Sequence, residues 1–433
     1  MEMTARGAAL LALERCRREK AWSDAVLDSI IRSAGLDRRD AALASRLCYG
    51  VQQNKMLCDF YIDAFSSTRT TRMEPRVLDI LRISVYSLLF LDRVPERAVV
   101  NEAVSLCKSM GNPKAAGLVN AVLRRISERR DSLPEIPGQG SADYLSVRYS
   151  HPLWLVNAYL ERLGYNGTEM LLKENNSVPP VAVQVNTLKT TTDALTEDGA
   201  EPHPWLPDCL LLADAGEQLD MVRSGLAYVQ DAAAKLSVLA AAPKPGMKVW
   251  DACAAPGGKS FAAAVLMENK GSILSCDLHE KKLSRIQSGA DRLGISIIET
   301  RALDARKAEF TELFDVVIAD VPCSGLGVVR KKPDIRYKDA SEISGLPEIQ
   351  HDILCSVSRF VKPGGTLLYS TCTIMEEENE DICRRFLSEH PEFQTEGFCL
   401  PGPAGDVPSG MLTLWPHIHG TDGFFLCKMI RSI

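Results

Sequence analysis

From Lys248 onward the chain alternates short apolar runs with helical ones, and this alternation constrains the fold more than any other feature. KVWDA is followed by a glycine-rich turn, a helix over SFAAAVLM, the run SILSCD, a helix over EKKLSRIQSGADRLG, then SIIETRALD and FDVVIAD. Strands alternating with helices at this length predict a parallel, doubly wound sheet. Ligands of such sheets sit outside the carboxyl ends of the strands. Asp251, Asp277, Asp304 and Asp320, all near predicted strand ends, are therefore expected beside a ligand.

The turn after the first strand reads DACAAPGGKS, residues 251 to 260, and it ends in Gly258-Lys259-Ser260 as a phosphate-cradling loop does. Such a loop needs a glycine five residues before the Gly-Lys pair, and that position is Cys253. The dinucleotide pattern GxGxxG is missing too. What remains is a glycine-rich strand-to-helix turn with an acid, Asp277, about twenty residues further on, which suits two ribose hydroxyls. A cofactor with a ribose and no pyrophosphate is implied. S-adenosylmethionine fits, because its methionine tail needs a close backbone approach, which Gly257 and Gly258 permit. Tight strand-helix packing alone is the competing account of the turn.

Two further stretches bear on the same sheet edge. In DVPCSGLGVVRKKPD (320 to 334) a strand ends in an acid followed by Pro-Cys, and in KPGGTLLYSTCTIMEEENE (362 to 380) a strand ends in Thr-Cys. A free cysteine is usually inert packing material. Cys323 and Cys372, both at strand ends beside the proposed cofactor turn, invite a chemical reading.

The remaining sequence divides in two. Residues 5 to 130 show helical spacing with almost no strand-like alternation, and Val77 to Phe90 is apolar nearly all round, as a central buried helix requires. The Pro/Gly-rich SLPEIPGQGS (132 to 141) reads as a linker. Beyond it, the predicted helix HPLWLVNAYLERLG and the β-rich runs VAVQVNTL and AYVQD suggest a small α+β subdomain. The expected division is an all-helical module over 1–131, an α+β subdomain over 142–240 and a catalytic doubly wound domain over 241–433.

The net charge of −6 argues against a uniformly basic nucleic-acid binder, but the charge is uneven: residues 1 to 130 hold 22 Lys/Arg against 15 Asp/Glu. Anion binding and solvated helix faces both account for that excess. The 13 cysteines include no CxxC pair and no zinc-ligand spacing, so no metal is expected and a reducing cytoplasm fits. With no apolar run near 18 residues, no membrane association is expected either. A monomer is anticipated.

DACAAPGGKS, DVPCSGLG and STCTIMEEENE resemble the motifs of the NOL/NOP/Sun family of RNA cytosine carbon-5 methyltransferases. SHPLW (150 to 154) and NNSVPPVAVQVN (175 to 186) resemble the family's RNA-side pattern, and LWPHIHGTDGFF (414 to 425) its carboxyl-terminal one. PERAVVNEAVSLCKSM and LVNAVLRRI resemble the NusB-like RNA-binding domain. This order of domains is similar to family members acting on bacterial 16S rRNA, and the resemblance covers nearly the whole chain. It implies S-adenosylmethionine as cofactor, 16S rRNA as partner and, within that RNA, the cytosine at position 967. Another rRNA or tRNA cytosine, or a non-catalytic RNA-binding assembly factor, is the alternative.

Carried onto matching positions, the resemblance implies that Cys372 is the nucleophile and that Cys323 assists proton removal or product release. Carbon 5 of cytosine is a poor nucleophile until a thiolate adds to carbon 6. Asp320 would hold the ring's amine or nitrogen 3. Lys259 either lowers a thiol pKa by its charge or is merely a helix-terminal surface lysine. Cofactor contacts fall on Cys253, Ala254, Ala255, Pro256, Gly257, Gly258 and Lys259 in the turn, on Asp277 for the ribose, on Asp304 for the adenine amine, and on Asp320. Arg330, Lys331, Lys332 and Arg336 are expected to grip RNA phosphates, with a solvated loop as the competing view. Glu376, Glu377, Glu378 and Glu380 read as the first turn of a helix. Gln184 stands where the family commonly has arginine, so an RNA-backbone contact there is lost or neutralised.

Overall fold

The computed structural model describes residues 3–19, 23–92, 94–196, 200–212 and 219–433. Those parts of the expected 1–131 and 142–240 spans at 1–2, 20–22, 93, 197–199 and 213–218 lie outside the described residues. The chain forms two compact units. One comprises 1–177 with 329–338, the other 178–328 with 339–433. Of the expected 142–240 subdomain, residues 142–177 fall in the first unit and 178–240 in the second.

The first unit is helical: α1 (Ala5–Glu19), α2 (Ser23–Ala34), α3 (Arg38–Gln53), α4 (Lys55–Phe65), α5 (Pro75–Phe90), α6 (Glu96–Met110), α7 (Ala116–Glu128), α8 (Ala142–Tyr149) and α9 (Leu153–Glu174). α9 breaks at Gly164, whose φ of 65° belongs to the left-handed region. As expected, α5 is the central buried helix: Ile80, Leu81, Ile83, Val85 and Leu88 are all inside. Its one acid, Asp79, is buried and held by Arg82 at 3.0 Å, and it also pairs with Arg17. Arg82 in turn grips both oxygens of Asp59 at 2.7 Å.

The second unit begins with a four-stranded antiparallel sheet in the order β2-β3-β1-β4, made of β1 (Val181–Val185), β2 (Glu201–Pro202), β3 (Cys209–Leu212) and β4 (Ala227–Val229), with the short helices α10 (Thr192–Thr196) and α11 (Leu219–Arg223). Gln184 is fully buried in β1, where its amide donates to the Gln230 carbonyl at 3.1 Å. Its side chain is turned into the protein, which agrees with the loss of a contact at this position.

α12 (Ala232–Ala241) leads into the large sheet, which runs through β5 (Lys248–Asp251), α13 (Gly258–Leu266), β6 (Ser272–Asp277), α14 (Glu280–Leu293), β7 (Ile298–Ala302), β8 (Phe314–Asp320), α15 (Ala340–Ile343), α16 (Leu346–Ser358), β9 (Val361–Thr371), α17 (Glu380–Glu389), β10 (Phe393–Thr395), the hairpin β11 (Phe398–Leu400) and β12 (Gly405–Val407), β13 (Met411–Leu414), α18 (Pro416–His419) and β14 (Phe424–Arg431). The strand order is β10-β14-β9-β8-β5-β6-β7, with β13 on β14. β5 to β9 are mutually parallel where they pair, and β14 runs antiparallel to β9. Alternate residues feed opposite faces. Val249, Val316, Ile318 and Leu368 pack with Leu236, Ala262 and Ile286, whereas Trp250, Val317, Leu367 and Tyr369 pack with Leu354, Val357 and Phe386. The doubly wound prediction holds, with antiparallel strands added at one edge. Among the described residues no helix is long and apolar enough to cross a membrane.

Candidate active site

The order of the large sheet reverses direction at β5, which pairs with β6 on one side and β8 on the other. Chains leaving β5, β6 and β8 therefore open onto one crevice. After β5 the turn is drawn toward β6 by the bond from the Ala254 amide to the Cys276 carbonyl, 2.7 Å long. Gly257 caps α13 with φ 111°, and a β-carbon there would lie 2.6 Å from the Phe261 ring. Only glycine permits that turn, and its bare backbone is what a ligand can approach closely.

Three carboxylates mark the strand ends on this side. Asp251 is fully buried, accepts a 2.7 Å bond from Ser260 Oγ, and is pushed up to about 7 by burial. Asp277 takes the His279 amide at 2.9 Å and Lys282 at 3.4 Å. The Leu303 amide donates to the Asp277 carbonyl at 3.0 Å, bringing the end of β7, and Asp304 with it, alongside β6. Asp304 holds the Arg306 guanidinium at 2.8 and 3.0 Å, and that partner pulls its pKa down.

On the other side of the turn the two cysteines meet. Cys323 Sγ and Cys372 Sγ are 3.3 Å apart and both partly exposed. Their chains are stitched together by backbone: Gly327 donates to the Cys372 carbonyl at 2.9 Å and accepts from Gly423 at 2.8 Å. A β-carbon on Gly327 would stand 1.9 Å from the Gly423 oxygen, so the close approach requires glycine in DVPCSGLG. Asn379 braces the strand end from below, accepting from Thr371 Oγ1 at 2.6 Å and donating to the Thr373 carbonyl at 3.0 Å.

Lys259, only 9 % exposed, is no surface lysine. Its ammonium meets Asp320 at 2.7 Å and lies 5.0 Å from the centre of the Phe424 ring. Asp320 also accepts from Ser370 Oγ at 2.8 Å. The Cys372 thiol is lowered, chiefly by the hydrogen bond from Cys323 and further by the Lys259 charge, against opposing burial and Asp320. Cys323 is raised by the same bond and by burial, with Glu378 adding to the effect. The contact between the two sulfurs thus favours Cys323 as the proton donor and Cys372 as the acceptor.

The structure brings together Cys372, Cys323, Asp320, Lys259 and the turn from Cys253. The basic run belongs to the other unit. Arg330 and Arg336 are buried in the helical unit, at 5 % and 0 % exposure. Arg330 pairs with Glu174 at 2.6 Å, while Arg336 donates to Asn176 Oδ1 at 2.7 Å and to the carbonyls of Asn175, Gln53 and Tyr149 at 3.2 to 3.3 Å. Lys332 meets Asp24 at 3.3 Å. The expectation that Arg330 and Arg336 grip phosphates is corrected, since their guanidinium groups are turned into the protein. Parts of the supposed RNA-side motifs, Ser150 and Asn175-Asn176, form the socket for this segment.

Sequence reasoning missed Ser370, Asn379, Asp251 as a buried acid, and Glu378. The last is corrected outright: Glu376–Glu378 form a separate 3-10 turn, α17 starts at Glu380, and Glu378 points inward. Glu378 was hidden in a run of acids that reads as a solvated face.

The sheet order, the glycine turn and the strand-end acids define the Rossmann-like class of methyltransferases. A family profile described as "16S rRNA methyltransferase RsmB/F" matches residues 238–430, the NusB family matches 3–128, and a ferredoxin-like domain of RsmF/B-like methyltransferases matches 151–217. The chain is 37 % identical to the probable ribosomal RNA small subunit methyltransferase B of Bacillus subtilis, over 99 % of this chain and 98 % of that one. It is 33 % identical to the protein of the same name from Synechocystis, over 99 % and 100 %. The solved structure of PH0851 superposes with a TM-score of 0.80 at 28 % identity, over 99 % of this chain and 97 % of that one. The chain belongs to the ribosomal RNA small subunit methyltransferase B/F family.

Proposed function

We propose that the protein transfers a methyl group from S-adenosylmethionine to carbon 5 of a cytosine in 16S rRNA, with Cys372 as nucleophile and Cys323 as its proton partner. The observation that carries this reading is the 3.3 Å approach of the two sulfurs at the ligand edge of the sheet. A methyltransferase acting on a protein or a small molecule has no use for such a pair.

The residues fit the cofactor. Gly257 and Gly258 offer bare backbone for the methionine tail, Asp277 lies at a strand end suited to the ribose, and Asp304, just past the end of β7, would take the adenine amine. Cys253, Ala254, Ala255 and Pro256 line the turn, and Lys259 closes it. When bound, the cofactor supplies an electrophilic methyl group.

The Cys372 thiolate adds to carbon 6 of the cytosine and forms a carbon–sulfur bond, which leaves carbon 5 electron-rich and able to take the methyl group. Asp320, with Lys259 and Ser370 fixing its carboxylate, binds the amine or nitrogen 3 edge as charge develops in the ring. Once Cys372 is a thioether, it no longer holds the proton on Cys323, which releases it to solvent. Cys323 then takes the carbon-5 proton, the carbon–sulfur bond breaks, and the thiol-thiolate pair is restored. The target base must be single-stranded or flipped out for this addition.

The test is transfer of labelled methyl from S-adenosylmethionine to protein-free 16S rRNA, followed by nucleoside analysis. Label in 5-methylcytidine supports the reading; label in any other nucleoside overturns it.

A further inference from the structure

Glu378 departs from the rest of the acidic run after Cys372. It is 3 % exposed, and donors surround its carboxylate. Oε2 accepts from the Ser324 amide at 2.8 Å and from Gln350 Nε2 at 2.9 Å, and Oε1 accepts from Ser324 Oγ at 2.5 Å. Gln350, on α16, also donates to the Pro322 carbonyl at 3.0 Å. Pro322 and Ser324 flank Cys323, so the network fixes the chain on both sides of that thiol. Ser324 Oγ further lies 2.9 Å from Thr373 Oγ1, one residue past Cys372. At the other end, the Glu378 carbonyl accepts the Tyr369 hydroxyl from β9 at 2.5 Å. The backbone of Glu378 therefore belongs to the segment that carries Cys372, and its carboxylate holds the segment that carries Cys323.

We propose that Glu378 is the positioning residue of the two-thiol site, clamping the Cys323 turn against the end of β9 so that the sulfurs stay within hydrogen-bond reach. This rests on the reading of Cys372 and Cys323 given above. A buried carboxylate is costly unless its oxygens are satisfied, and here backbone, hydroxyl and amide donors satisfy them. Its place also sorts the charges around the thiols. Cys323 is faced by Cys372 from β9, by Glu378 from the following segment and by Tyr369. Cys372 is faced by Lys259 from α13, by Asp320 from β8 and by Asp422 before β14. The Glu378 carboxylate on the Cys323 side and the Lys259 ammonium on the Cys372 side favour leaving the proton on Cys323, and Asp320 and Asp422 oppose them.

The test uses the full chain carrying Glu378→Gln and, separately, Ser324→Ala, the milder change. Methyl-transfer kinetics are measured together with the pH dependence of iodoacetamide alkylation at Cys372, mapped by mass spectrometry. The expected result for Glu378→Gln is a kcat lower by about tenfold or more, with KM for S-adenosylmethionine essentially unchanged. Its Cys372 alkylation is expected to move to higher pH, because the Cys323 donor is no longer held in place. Ser324→Ala should shift both in the same direction by less, and it decides the matter alone if Glu378→Gln does not fold. Wild-type kcat with an unshifted alkylation profile in a folded variant would overturn the proposal. If the wild-type protein methylates no RNA, the functional reading fails on its own, while the alkylation profiles still report whether Glu378 positions the pair.

Discussion

Cys323 Sγ lies 3.3 Å from Cys372 Sγ, with a lysine ammonium on the Cys372 side and a buried glutamate on the other. Two thiols at that distance are coupled, so the pair titrates as a unit.

Replacing Cys372 with alanine removes the nucleophile but leaves the glycine turn and Asp277 untouched. Cys372→Ala is expected to retain cofactor binding by calorimetry while methyl transfer falls below about a hundredth of wild type. Residual turnover above that level would remove Cys372 from its role.

Lys259 lowers the Cys372 thiol and, paired with Asp320, offsets part of the rise that this carboxylate causes. Both effects vanish in Lys259→Met. A thiol whose pKa sits below its ordinary value is anionic from a lower pH upward, so losing the cation moves the acidic limb of kcat/KM to higher pH. An unmoved limb would mean that Lys259 serves only as a partner of Asp320.

Asp251 is pushed up to about 7 by burial, well above its value in the unfolded chain. The protonated acid therefore favours the folded state: its contribution is fully present below the unfolded pKa of 3.8 and is lost as pH rises through about 7. Asp251→Asn should flatten the fall in stability between about pH 4 and pH 7, a difference on the order of 2–4 kcal/mol. Denaturant titrations across that range check it; parallel curves for wild type and variant would contradict the burial argument.

Arg336 is a structural post of the helical unit, bonded to Asn176 and to the carbonyls of Asn175, Gln53 and Tyr149. Arg336→Ala strands those acceptors and should destabilise the protein by about 2–4 kcal/mol. Because no phosphate contact is lost, the salt dependence of RNA binding should keep its slope; a slope reduced by about one would reinstate the phosphate role.

What could be read in the sequence follows from how local each feature is. Val249-Trp250-Asp251 and Val316 to Asp320 announce strands because short apolar runs ending in an acid need no distant partner to be recognised. Cys323 and Cys372 stood out for the same reason. Arg336 did not, because its burial depends on Gln53, Tyr149 and Asn175, residues 161 to 283 positions away. Lys331-Lys332 next to it kept the whole run looking like a solvated basic patch. Glu378 was invisible for a related reason: among Glu376, Glu377 and Glu380 nothing in the sequence says which acid turns inward. At Gln184 the motif correspondence carried no burial, which depends on Cys209 and Gln230, 25 and 46 positions away.

The central claim is the division of labour between the two thiols, and the most direct measurement is peptide mapping of a trapped protein-RNA adduct. Cys323→Ala is incubated with S-adenosylmethionine and 16S rRNA, denatured, digested and analysed by mass spectrometry. The account predicts a stalled covalent species with a methylated cytosine attached to the peptide bearing Cys372. Absence of any such species while methylation proceeds at the wild-type rate, or a cytosine attached to Cys323 in the reciprocal Cys372→Ala protein, would contradict it.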